Sequence, residues 1–165
     1  MIRGHVIKYG DNVDTDVILP GRYLTCLDPE HLASHCMEDL DPRFLSKKGP
    51  GDIIVAGNNF GCGSSREFAA VAIKAAGISC IIARSFARIF YRNAINVGLM
   101  ILECPGAAES LKEGDEIEVD PDQGLIHNVR GRESYEAAPF PVLVRRIIDD
   151  GGLVDFVKRR LKEKG

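Results

Sequence analysis

Paired cysteines are missing from this chain. Its five cysteines, at positions 26, 36, 62, 80 and 104, are odd in number and no two have C-x-x-C spacing. Such a set builds no disulfide framework and offers no self-contained zinc or iron–sulfur site. Scattered thiols of this kind are expected to be reduced, small and buried. Charge of one sign is scarce too. With 21 Lys and Arg against 24 Asp and Glu the net charge is −3, which favours neither nucleic acid nor an acidic membrane as partner. No apolar run is long enough to span a bilayer. Residues 1–6 lack the apolar stretch of a signal peptide, so a cytoplasmic setting is the default expectation. Repeats and low-complexity linkers are absent. The remaining composition, 45% hydrophobic and 27% charged over 165 residues, suits one globular domain spanning 1–165.

The apolar pattern organises that domain. Residues 3–9 read as a strand, and 10–22 as a loop rich in Asp, Asn, Gly and Pro. Asp28 as N-cap, with Pro29 in the first helical position, opens a helix over 29–39, and 47–51 form an exposed turn. Then come a strand over 52–56, a helix over 64–76 closed by Gly77, and a strand over 79–83. A helix capped by Ser85 carries Phe86, Ile89, Phe90, Ala94 and Val97 on one face and ends at Gly98, before a strand over 99–102. Alternating strands and helices with short connections imply right-handed crossovers around a parallel core, and the near-continuous apolar strands fit a sheet covered on both faces. Further on, 116–119 and 125–127 flank a turn at 121–124 and read as an antiparallel hairpin. A helix with Pro141 at its first position places Phe140, Leu143, Val144, Ile147 and Ile148 on one face and stops at Gly151. A basic amphipathic helix over about 153–163 closes the chain; Lys158, Arg159, Arg160, Lys162 and Lys164 read as an ordinary solvated face.

The chemistry concentrates at 61–67, where Gly61, Cys62, Gly63, Ser64, Ser65, Arg66 and Glu67 stand between an apolar strand and an alanine-rich helix. Strand, glycine turn and helix N-terminus together aim backbone N–H groups and the positive end of a helix dipole at one spot, which suits a small anion. Ser64-x-x-Glu67 has the spacing of a capping box. That reading leaves two glycines, a second serine and an arginine unexplained. The functional reading is an anion pocket with a working hydroxyl. Ser64 would sit in positive potential that stabilises an alkoxide able to take a C–H proton next to a carboxylate, and Arg66 would clamp that carboxylate. The chain has no G-x-S-x-G elbow, no G-x-x-x-x-G-K-[ST] loop and no G-x-G-x-x-G turn.

This run, with Ser85-Phe86-Ala87-Arg88-Ile89-Phe90 about 20 residues on and Asn12-Val13-Asp14-Thr15-Asp16-Val17-Ile18-Leu19-Pro20 before it, resembles the swivel domain of the aconitase superfamily. Over essentially all 165 residues, the order of motifs and the free-standing length are similar to the small subunits of its isopropylmalate and homoaconitate dehydratases. The resemblance implies an α/β fold, a three-layer swivelling β/β/α domain with a parallel-strand core and a small antiparallel hairpin. It implies a hydro-lyase small subunit that interconverts 2-isopropylmalate and 3-isopropylmalate by dehydration and rehydration in leucine biosynthesis. Such a subunit is active only with a large subunit whose cysteines carry a 4Fe–4S cluster; none is expected on this chain, and the assembly would be a heterodimer or heterotetramer. By the same resemblance Ser64 is the base, and Ser65 and Arg66, with Gly63 in the same turn, hold the substrate carboxylate. Asp16 supports the proton relay, and Asp14 orders its turn.

Gly21, Arg22, Tyr23, Leu24, Thr25 and Cys26 match the loop that sets substrate choice. Homoaconitase members tend to carry an arginine two residues after the tyrosine. Thr25 stands there instead, arguing for an uncharged variable group, since an unpaired extra carboxylate is costly to desolvate. Leu24 offers an apolar contact, and Arg22 is a nearby cation that could replace the missing one. Thr25 does not separate isopropylmalate from dimethylmalate. A binding module that grips small carboxylates without turnover is the reading from another class. An isolated small subunit would have reason to self-associate through the surface its partner normally covers.

Three further features have plainer readings. His31 and His35 lie one helical turn apart without an evident third metal ligand. Cys62 sits in positive potential that would favour its thiolate, but reads more simply as a small residue fitting the turn. Arg84, Arg88 and Arg92 would share a helix face, either as a solvated stripe or as a surface meeting an acidic partner.

Overall fold

A computed structural model of the chain describes residues 1–163; Lys164 lies outside them. Seven strands form one mixed sheet: β1 (Ile2–Lys8), β2 (Ile53–Ala56), β3 (Cys80–Ala83), β4 (Ile101–Glu103), β5 (Glu116–Asp120), β6 (Leu125–Asn128) and β7 (Ser134–Glu136). Their spatial order is β4-β3-β2-β1-β5-β6-β7. β1 to β4 run parallel, and β1 pairs with β5 to start the antiparallel half. The helices are α1 (Thr15–Ile18), α2 (Pro29–Ser34), α3 (Phe44–Lys47), α4 (Glu67–Ala75), α5 (Arg88–Asn96), α6 (Pro105–Ser110), α7 (Val142–Asp149) and α8 (Leu153–Glu163). No helix among the described residues is long and apolar enough to cross a membrane.

The two faces of the parallel strands belong to two separate apolar cores, as the period-two alternation of a strand requires. Ile54, Ala56, Ile81 and Ala83 pack with Ala69, Ala70 and Ile73 of α4 and Phe90 and Ala94 of α5. Ile53, Val55, Cys80 and Ile82 join Ile117, Val119 and Ile126 of the antiparallel half and Ala107 of α6. The parallel strands therefore lie between a helical layer and the antiparallel strands, the expected β/β/α arrangement.

Several element boundaries depart from the sequence reading, each for a local reason. The helix opened by Asp28, whose carboxylate accepts from His31 N–H, stops at Ser34 instead of 39. Met37 adopts φ 63°, and its N–H reaches back to Ile18 O at 2.7 Å. α4 starts at Glu67, and no side chain caps it, so the Ser64–Glu67 capping box does not form. Ser85 does not cap α5, which starts after Ala87; its Oγ accepts from Asn59 N–H at 2.9 Å. Arg84 therefore precedes the helix and pairs with Glu109 at 3.7 Å, leaving Arg88 and Arg92 on α5. Ile89 and Leu143, both expected on packed faces, are 51% and 54% exposed. Pro141 is the N-cap of α7, and β4 starts at Ile101 rather than 99. Three short helices (α1, α3 and α6), the turn at Gly21–Tyr23 and the edge strand β7 had no counterpart in the sequence reading.

An aromatic group supports the glycine turn from below. Phe60 meets Phe86 and Phe90 with ring centroids 6.1 and 5.3 Å apart, both edge-on. Gly61 lies against this group with φ +79°, and a Cβ there would fall 2.1 Å from the Phe90 ring. Gly61→Ala is expected to combine left-handed strain with overpacking and to cost about 2–4 kcal/mol. A urea-unfolding midpoint equal to wild type would contradict this packing.

Candidate functional site

The site forms where the segments following β1 and β2 continue side by side. Beyond the last paired residues the two chains keep exchanging backbone bonds: Tyr9 N–H to Val55 O (2.8 Å), Asn12 N–H to Asn58 O (2.8 Å), Gly61 N–H to Val13 O (2.8 Å) and Thr15 N–H to Cys62 O (2.7 Å). A parallel bridge joins Asp14 to Cys62, and another joins Phe60 to Phe86 after β3. Three segments thus meet at the carboxyl ends of three adjacent parallel strands, the usual site position in open α/β sheets.

Thr15 is the buried centre of this arrangement at 1% exposure. Its hydroxyl accepts from Ser64 N–H at 3.1 Å, and lies 3.2 Å from Ser64 O and 3.1 Å from Ser64 Oγ. One hydroxyl therefore fixes both the backbone and the side chain of Ser64. Gly63, at φ +99°, leaves room for Asp14; a Cβ there would stand 2.5 Å from both carboxylate oxygens. Asp14 in turn caps α1 by accepting from Asp16 N–H at 2.7 Å. Gly63, Ser64 and Ser65 are exposed, just ahead of the uncapped N-terminus of α4. The first-turn N–H groups of that helix supply positive potential there.

Arg66 Nη1 lies 2.6 Å from Asp16 Oδ1, yet this buried nitrogen makes no well-aligned hydrogen bond. The contact is ionic, and donor capacity of the guanidinium remains unused. Gly21 lies beside that guanidinium; a Cβ there would come within 3.1–3.4 Å of it. Asn93 of α5 donates to Ser65 O at 3.3 Å.

Gly63, Ser64, Ser65, Arg66 and Asp16 are therefore brought together. Arg22 and Tyr23 turn elsewhere: the Arg22 guanidinium grips Asp39 through two bonds (2.9 and 2.6 Å), holding that carboxyl below its ordinary range. Tyr23 donates to Glu38 at 2.6 Å. Leu24 packs partly buried against the helical core, and Thr25 is exposed. The sequence reading passed over Thr15, whose only signal was its place between two aspartates.

Cysteine and histidine chemistry is muted. Burial, and then the Asp14 carboxylate, push the Cys62 thiol up, so the positive potential expected there does not activate it. Cys36, Cys80 and Cys104 are buried, while Cys26 is exposed. Among the described residues no three His, Cys, Asp or Glu side chains converge on a metal position. Two crevices of about 370 Å³ lie between α7 and α8 and over Pro29, Val71 and Val97; neither includes Ser64, which stands on an open face.

Residues 12–107 match the family model described as the aconitase C-terminal domain, and the chain belongs to that family. It is 57% identical over 159 residues to the 3-isopropylmalate dehydratase small subunit of Ruminiclostridium cellulolyticum, covering 96% of this chain and 98% of that one. It is 58% identical over 155 residues to the 2,3-dimethylmalate dehydratase small subunit of Eubacterium barkeri, with 94% and 95% covered. Its fold is similar to the crystal structure of 3-isopropylmalate dehydratase from Methanocaldococcus jannaschii, with TM-score 0.93, 48% identity and 99% of each chain covered.

Thr15 and Ser64 separate structural from chemical roles in a way that unfolding can read. Thr15→Val leaves the Ser64 N–H without its partner and is expected to cost about 1–3 kcal/mol. Ser64→Ala, at an exposed position, should change stability by no more than about 0.5 kcal/mol. Equal effects in denaturant titrations would contradict the assignment of Thr15 as the fixing residue.

Proposed function

We propose that this chain, acting as one unit over 1–165, is the small subunit of a hydro-lyase that interconverts 2-isopropylmalate and 3-isopropylmalate. The observation that carries the reading is the exposed Ser64 hydroxyl, held by Thr15 ahead of the α4 N-terminus and two residues from a guanidinium with unused donors. Near-full-length relatives named for this reaction support it.

Dehydration of a hydroxy-dicarboxylate breaks a C–H bond next to a carboxylate and a C–O bond on the neighbouring carbon, and leaves a C=C bond between them. Ser64, as an alkoxide, takes the proton. Thr15 then donates its hydroxyl to Ser64 Oγ while the first-turn amides of α4 stabilise the negative charge. Arg66 binds a substrate carboxylate, for which Asp16 gives up its place on the guanidinium. Rehydration takes the opposite regiochemistry: Ser64 gives its proton to the carbon that lost the hydroxyl, and hydroxide adds to the carbon that lost the proton, so the hydroxyl ends on the neighbouring carbon. Of the five thiols three are buried, Cys62 is half-buried and Cys26 is exposed; the 4Fe–4S cluster that the family implies would be held by cysteines of a large partner subunit. When bound there it supplies a Lewis acid for the leaving hydroxyl.

The open face around Ser64 is the surface such a partner would cover. Ile89, half exposed on α5 between Arg88 and Arg92, stands at its edge, since Asn93 of the same helix reaches Ser65. An acidic rim on the partner would match the two arginines.

Substrate choice follows from charge. Thr25 brings no cation to an extra carboxylate, which disfavours homoaconitate. The Eubacterium barkeri relative makes dimethylmalate the competing substrate.

The test combines the chain with the cluster-bearing large subunit of its organism under anaerobic conditions and follows formation of the unsaturated acid. Turnover of isopropylmalate is expected, falling about 10²–10⁴-fold in Ser64→Ala. Preference for dimethylmalate would keep the mechanism and change the substrate; unchanged turnover in Ser64→Ala would overturn the role of Ser64.

A further inference from the structure

We infer that Glu38 and His35 are positioning residues that clamp the 21–25 loop in its substrate-recognising conformation. Glu38 lies outside every motif read from the sequence, and His35 entered there only as one of a histidine pair. The inference rests on the reading of that loop as the part of the site that meets the variable group of the substrate.

The two carboxylate oxygens of Glu38 are divided between the loop and its support. Oε1 accepts from the Tyr23 phenol at 2.6 Å, and Oε2 lies 2.8 Å from His35 Nδ1. The His35 ring also stacks on Tyr23, with centroids 3.6 Å apart and planes 7° from parallel. The Arg22 guanidinium lies 4.7 Å from the Tyr23 ring centroid while it grips Asp39. Stacking and hydrogen bonding thus hold one ring in position and in tilt. The Tyr23 phenol first, and then His35, keep the Glu38 carboxyl below its ordinary range, so it stays an acceptor at neutral pH.

The loop needs such a support. Gly21–Tyr23 is a single 3-10 turn with no side-chain cap, and one isolated turn is marginal by itself. The support is anchored to the site: the chain reversal at Met37 that swings Glu38 under Tyr23 is pinned by Met37 N–H on Ile18 O at 2.7 Å. Ile18 ends α1, the helix that begins with Thr15. At its other end the loop sets Gly21 against Arg66. Recognition loop, carboxylate clamp and base are thereby joined through one bracket, of which Glu38 is the hinge pin.

Removing Glu38 should loosen recognition and leave proton transfer intact. In the reconstituted complex, Glu38→Ala is expected to raise KM for 3-isopropylmalate about tenfold with kcat within about twofold of wild type. Glu38→Gln keeps an acceptor for Tyr23 and should recover most of the loss. In the small subunit itself, Glu38→Ala should make the bond after Arg22 about tenfold more sensitive to trypsin at an unchanged unfolding midpoint. A wild-type KM with wild-type cleavage, or Gln no better than Ala, would overturn the inference. So would a fall in kcat at constant KM, which would assign Glu38 to the chemistry. Ser64→Ala is the control that separates the two readings. If it is inactive while Glu38→Ala behaves as wild type, only the clamp fails; if it is active, the proposed function fails first.

Discussion

The parallel pairing of β1 with β2, continued past the ends of both strands, is the constraint on which the site depends. Within the strands it aligns Val6 with Ile53 and Lys8 with Val55. Beyond them, the exchange of backbone bonds between 9–15 and 57–62 keeps the two segments in step long enough for Thr15 to arrive beside Ser64. Each of these bonds contributes about 1 kcal/mol net, so no single one holds the site. Their register does, and it is fixed by the alternation of Ile53 and Val55 with Ile54 and Ala56 between the two apolar cores. A slip of one residue would turn Thr15 away from Ser64 and move Ile54 and Ala56 from the helical core to the other face. The apolar cores thus enforce the geometry of a polar site to which they contribute no atom.

The same arrangement explains why the site is open. Glycine at 61 and 63 lets the chain pass over the Phe90 ring on one side and the Asp14 carboxylate on the other, and the turn rises to the surface at Ser64. None of the described residues then covers it. The substrate of a base and a guanidinium exposed in this way would remain hydrated, and electrostatic assistance is strongest where water is excluded. A second subunit closing over the face is therefore a physical requirement of the proposed chemistry and agrees with the small-subunit names of the relatives.

How much of this was readable in the sequence follows from the range of the interactions involved. The parallel core was legible because its strands are unbroken apolar runs and its helices end at Gly77 and Gly98, both local signals. The Ser64 turn was legible from composition alone. Its support was not: Thr15 contacts Ser64 across 49 residues, and Glu38 reaches Tyr23 across a chain reversal made by a methionine at positive φ, for which sequence carries no signal. The capping readings of Ser64 and Ser85 failed for a related reason. In both cases a more distant partner takes up the side-chain oxygen that a cap would use: Thr15 Oγ1 lies against Ser64 Oγ, and Ser85 Oγ accepts from the Asn59 N–H.

Arg66 and Asp16 show how such a site can remain ready for a substrate. A guanidinium held next to an uncapped helix N-terminus, with no counter-charge, would add to an already positive spot and push the turn apart. Asp16 supplies that counter-charge. Its side chain is 59% exposed, and ion pairs this accessible to water contribute only about 0–1 kcal/mol. An incoming carboxylate therefore displaces it at little cost, particularly since the contact lacks the alignment of a good hydrogen bond. A bidentate carboxylate gains both a better-aligned geometry and the unused donors on Arg66. Released, Asp16 remains within reach of the same cation, and the α1 cap made by Asp14 is undisturbed. On the proposed reading, the aspartate balances the charge of the cation in the free subunit and yields it when substrate arrives. The weakness of an exposed ion pair is what makes that exchange possible.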